Sequence, residues 1–129
     1  MIEPFIFINT FAIKEGRTED FLNACQKILE LAETSEPRLL HIGFYVNEEG
    51  TEATTVQVHP DEDSMSVHMK VAEEHINEAH DFLDFTTMRY QVYGSLSEAV
   101  LEQMRQLAGS GVSVTNKDQA SGFNRLPAL

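Results

Sequence analysis

Residues 5–37, FIFINTFAIKEGRTEDFLNACQKILELAETSEP, change their hydrophobic period once. The first nine are almost all apolar, β-branched or aromatic and stop at Lys14-Glu15-Gly16, a run too short for a typical helix, so a strand near residues 4–13 is expected. After Gly16 the period lengthens. Phe21, Cys25, Ile28 and Ala32 recur at helical spacing, with Leu22 and Leu29 beside them, while Arg17, Glu19, Asp20, Lys27 and Glu30 can point to water. Pro37 closes this helix.

Outward from there, RLLHIGFYVN, EEGTE and ATTVQVH read as a strand, a turn and a second strand. Pro60 follows, and Asp61 to Ser64 supply acidic and capping residues for a helix over residues 61–83, whose apolar stripe is Met65, Met69, Ala72, Ile76, Ala79 and Leu83. TTMRYQVYGS is a fourth strand. Ser95 with Glu98 forms a capping box ahead of a short helix near 96–108. The tail after Gly109 turns polar, with Val112 and Val114 as a weak strand signal. The order strand, helix, strand, strand, helix, strand is the split βαβ, ferredoxin-like α+β arrangement: a four-stranded antiparallel sheet with two helices on one face. Residues 1–95 carry that arrangement, and 96–129 add a helix and an arm to the same domain. Phe5, Phe7 and Phe11 alternate with Ile6 and Ile8, so both faces of the first strand are apolar. A homodimer with facing sheets would bury the second face, and an arm carrying Val112, Val114, Phe123 and Leu126 would reach the partner.

Composition excludes several classes. At 129 residues, 42% hydrophobic and 23% charged, the chain has the length of one globular domain. Twenty-one acidic residues against nine basic give a net charge of −12, which disfavours nucleic acid and anionic membranes as partners. No apolar run is long enough to span a bilayer. MIEPFIFINTF has neither a basic n-region nor a small-residue cleavage site, so a cytoplasmic location is expected. A single cysteine, Cys25, excludes an intramolecular disulfide and a thiolate metal cluster. Its place in the helix stripe makes it a small core residue.

Four of the five histidines, His59, His68, His75 and His80, fall within residues 58–80. On one continuous helix His68 and His75 would share a flank of the apolar stripe about 10 Å apart along the axis, too far to hold one ion through bonds of about 2 Å. No metal site is expected. Asn9 shares strand parity with Phe5, Phe7 and Phe11 and so faces the helices. A pocket edge formed by Asn9, His68 and His75 suits an aromatic ligand, and imidazole is the side chain most able to exchange a proton near neutrality. His41 and Tyr45 share a face of their strand, as do Gln57 and His59 of the next. The two pairs are expected to meet across the hairpin and pack in a dimer.

FAIKEGRTEDFLNACQKILELAETSEPRLLHIGFYVN, TVQVHPDEDSMSVHMKVAEEHI and MRYQVYG together resemble the antibiotic biosynthesis monooxygenase (ABM) family of dimeric α/β barrels, over roughly residues 5–95. The resemblance implies a monooxygenase of aromatic or quinol-like small molecules that needs no cofactor, with Asn9, His68 and His75 as catalytic residues. A non-catalytic dimer that binds a small apolar molecule, or serves as a structural module, is the alternative. The haem-degrading branch fits less well. Asn9 matches its asparagine, but His68 stands where that branch has tryptophan, the chain has no tryptophan, and Glu78 stands at the haem-ligating position. A cavity of several hundred Å³ between sheet and second helix would favour an enzyme, and a solid core would favour the module.

Overall fold

The computed structural model describes residues 4–109 and 111–126. Strand β1 (Phe5–Ile13) leads through a turn at Gly16 into α1 (Thr18–Ser35). Strands β2 (His41–Val46) and β3 (Glu52–His59) form a hairpin, followed by α2 (Glu62–Glu73) and a single turn, α3 (Ile76–Ala79). Strand β4 (Leu83–Tyr93), α4 (Glu98–Ala108) and β5 (Ser113–Lys117) complete the domain. The sheet order is β2-β3-β1-β4-β5, antiparallel except for the parallel β4–β5 pair. This is the expected ferredoxin-like α+β fold with one strand more than predicted. The long β4 leaves Arg89–Tyr93 free to accept β5 along its outer edge, after a crossover through α4.

Three local readings change. The helix expected over 61–83 ends at Glu73, and His75 sits at the break with φ −111° and ψ −7°. Glu73 and Glu74 at the helix C-terminus oppose the macrodipole, and a continued helix would place Glu74 against Glu78 one turn on. The cap of α4 is Ser97, whose hydroxyl accepts from the Val100 amide at 3.3 Å, and not Ser95. Glu62 of α2 accepts the Ser97 amide at 2.9 Å, so another helix supplies the carboxylate of the capping box. Val112 and Val114 pack against the chain's own core through β5. Phe123 remains 80% exposed.

Strand parity places the core. Phe5, Phe7, Phe11 and Ile13 are buried beneath the helices with Phe21, Cys25, Met65, Met69, Met88, Val92 and Met104. Asn9 shares their face. Asp61 caps α2, accepting the Ser64 amide at 3.1 Å, and its carboxylate also pairs with Arg38, joining the start of α2 to the segment that leaves α1. No helix among the described residues is long and apolar enough to cross a membrane.

Candidate functional site

Between the sheet and helices α1 and α2 lies a cavity of about 160 Å³. Its walls come from every layer: Phe7, Asn9 and Phe11 of β1; Phe21, Cys25 and Ile28 of α1; Phe44 and Gln57 of the hairpin; Met65, His68 and Met69 of α2; Met88 and Tyr90 of β4; and Met104 of α4. His75 lines it from the helix break, and exposed Lys27 and Glu78 stand at its rim. All three residues singled out from sequence therefore face one space. The volume is smaller than the several hundred Å³ expected of an enzyme pocket, yet the core is not solid.

The polar atoms of this wall divide into satisfied and free. His68 is buried and satisfied on both sides. Its Nδ1 lies 2.9 Å from Oε1 and 3.1 Å from Oε2 of Glu36, a residue only 4% exposed, and its Nε2 lies 3.0 Å from Gln57 Nε2. The chain continues: Gln57 Oε1 is 2.8 Å from His59 Nε2, and His59 Nδ1 is 2.8 Å from Ser64 Oγ. With the amide oriented this way every direction follows. Ser64 O–H donates to His59, His59 Nε2–H donates to Gln57, the Gln57 amide donates to His68, and His68 Nδ1–H donates to the Glu36 carboxylate. Both ring nitrogens of His68 are thus committed, and the cavity meets only its carbon edge.

Asn9 Oδ1 and His75 Nε2 are the two buried side-chain polar atoms among the described residues that have no hydrogen-bond partner. Both residues line this cavity. Buried polar atoms are almost always paired, so these two orphans, one on the sheet and one at the helix break, are candidates to meet a ligand's polar groups.

Burial sets the remaining chemistry. The His59 imidazole, stacked on Phe5 at 4.9 Å, is pushed down to about 3, first by burial and then by the neighbouring His68 imidazole, beside which a second proton is disfavoured, so it is neutral at physiological pH. Burial holds the Cys25 thiol and the Tyr90 phenol at about 12, so neither is an anion there. Cys25 is an apolar wall rather than a nucleophile. His80 stacks on Phe85 at 3.8 Å, and His41 contacts Tyr45 at 3.3 Å. The register pairs His41 with Val58 and Ile42 with Gln57, which puts His41 and Tyr45 on the sheet face opposite Gln57 and His59. The predicted meeting across the hairpin does not occur. Gln57, His59, Glu36 and Ser64 form the buried network instead. Among the described residues no group of three or more His, Cys, Asp or Glu side chains could hold a metal ion.

The His59 shift predicts a pH dependence of stability. Its native value lies below the 6.5 of an unperturbed imidazole, so between those values the unfolded chain binds a proton that the native state refuses. This contribution is fully present above about pH 6.5 and is lost as pH falls toward about 3, amounting to roughly 5 kcal/mol at the acid end. Urea unfolding from pH 7 to pH 4 should show a steep loss that is flattened in His59→Gln. Equal slopes in both proteins would refute the assignment.

No protein-family model matches the chain, and no curated protein does. Solved structures do. MupZ from Pseudomonas fluorescens is 25% identical, with a TM-score of 0.75 over 97% of this chain and 91% of that one. A candidate antibiotic biosynthesis monooxygenase from Nitrosomonas europaea matches at TM-score 0.64 and 15% identity, over 76% of this chain and 95% of that one. Another from Bacteroides thetaiotaomicron matches at 0.60 and 14%, over 68% and 85%. The chain has the fold of the antibiotic biosynthesis monooxygenase proteins.

Proposed function

We propose that the protein is a monooxygenase of small aromatic or quinol-like molecules, with catalysis resting on its own side chains. The observation that carries this reading is the pair of unpartnered atoms, Asn9 Oδ1 and His75 Nε2, on two residues that line one apolar, aromatic-lined cavity. His75 Nε2 takes the proton of a ring hydroxyl, giving an electron-rich phenolate able to reduce oxygen. Asn9 fixes the ring by a second polar group. His68 acts through position: clamped by Glu36 and Gln57, it holds α2 against the sheet and shapes the wall. The substrate loses two hydrogens and gains one oxygen atom, while the other oxygen atom leaves with those hydrogens as water. Four electrons pass from the ring to O₂.

Oxygen consumption on a panel of quinols and phenols, with a chelator present, is expected to exceed the uncatalysed rate at least a hundredfold, the lower end of what positioned acid–base catalysis contributes. Consumption at the uncatalysed rate throughout the panel would leave a non-catalytic binding protein. A second reading has its own support, because a proton-accepting nitrogen in a dry pocket equally serves a proton transfer in which oxygen takes no part. Product formed under nitrogen would select it.

Assembly is part of the proposal. On the sheet face away from the helices, Ile6 and Tyr45 are 39% and 53% exposed, and they flank Ile8, Val56 and Val58. We propose that a second copy covers this face and that the segment carrying Phe123 crosses to it. Sedimentation at micromolar concentration should give a dimer, and Ile6→Lys should shift it toward monomer. A stable wild-type monomer would count against this assembly.

A further inference from the structure

We infer that the cavity selects a single-ring ligand carrying a hydroxyl group that donates to the Asn9 side-chain carbonyl. This inference rests on the catalytic reading above for the identity of the site, and it goes further in naming what fits. Size argues first. A cavity of about 150 Å³ lined by apolar side chains holds benzene, and the space here is about 160 Å³. It has room for one substituted ring, and a fused three-ring phenol would extend beyond it. Shape agrees, since Phe7, Phe11, Met65 and Met88 give it flat and adaptable walls.

Polarity then fixes the functional group. Asn9 Oδ1 is an acceptor without a donor, so an ether or carboxylate oxygen there would place two acceptors together. A hydroxyl satisfies it. Gln57 and His68 do not compete, because they are committed to each other and to His59 and Glu36. His75 Nε2 offers a second contact, so a ring with two hydroxyls satisfies both orphans.

The test is calorimetric titration of the full-length protein under nitrogen, which separates binding from turnover. The probes are 1,4-dihydroxybenzene, its dimethyl ether, benzoate and a three-ring phenol. The diol is expected to bind at least tenfold tighter than the ether, with no saturable binding of benzoate or the three-ring phenol. In Asn9→Leu the diol-to-ether ratio should fall at least threefold, leaving only the preference that His75 supplies. An ether or benzoate that binds as tightly as the diol, or a three-ring phenol that binds more tightly, overturns the inference in the wild-type protein alone, whether or not the variant folds. Diol binding without oxygen uptake in air would sink the oxygenase reading and leave the ligand class standing. Turnover of three-ring phenols without diol binding would do the reverse.

Discussion

His68→Leu is expected to cost about 3–5 kcal/mol of folding stability, the range found when a buried charge, here the Glu36 carboxylate, is left without its partner. The loss comes less from the bond that disappears than from what it leaves behind. Glu36, with its side chain only 1% exposed, would keep a carboxylate with no donor, and the Gln57 amide would face a methyl group. Glu36→Leu should be costly for the matching reason, since His68 Nδ1–H would point at carbon. The double variant Glu36→Leu/His68→Leu should recover most of either loss, because replacing both partners with apolar groups of similar size is often nearly neutral. Only the Gln57 amide would remain short of an acceptor. Urea unfolding of the four proteins gives the coupling directly, and a value of at least 2 kcal/mol is expected between residues in one such network. Losses that simply add would mean that the Glu36–His68 contact does not hold α2 to the end of α1.

Much of this architecture was legible in the sequence because hydrophobic period reports burial. The single-residue alternation in β1 puts Phe5, Phe7, Asn9 and Phe11 on one face, and the 3.6 period after Gly16 gives α1, so the sequence alone turns Asn9 toward the helices, where it lines the cavity. The same logic failed in β3. Thr55, Gln57 and His59 alternate with Val56 and Val58, and the polar set is the one that faces the core. An alternating strand shows that two faces differ, but not which one is wet when a network satisfies the polar set. That network depends on Glu36 meeting His68, 32 residues away, through an arrangement of α1 and α2 that no local pattern encodes. The break at His75 was hidden for a related reason. Ile76 and Ala79 extend the apolar stripe of α2, so the period continues where the backbone does not. The fifth strand had only Val112 and Val114 to announce it, because a parallel edge strand gains its bonds from β4 rather than from its own side chains.

His75→Ala should lower turnover by two to four orders of magnitude, the contribution of a positioned general base. Its effect on stability should be under about 1 kcal/mol, because His75 Nε2 makes no hydrogen bond whose partner would be stranded and the backbone is already out of helix there. That contrast separates His75 from His68, although both line the cavity: His68 is committed to the protein, and His75 Nε2 has no partner within it. Truncation to alanine also leaves a space the size of the lost ring beside the substrate. Free imidazole added at millimolar concentration should enter it and restore part of the rate in His75→Ala. It should do nothing for His68→Ala, whose ring is enclosed by Glu36 and Gln57. Steady-state turnover with and without imidazole, read beside the urea midpoint of each variant, decides the matter. Unchanged turnover in His75→Ala, or a loss of activity that follows a loss of folding, would take the base out of the proposed chemistry.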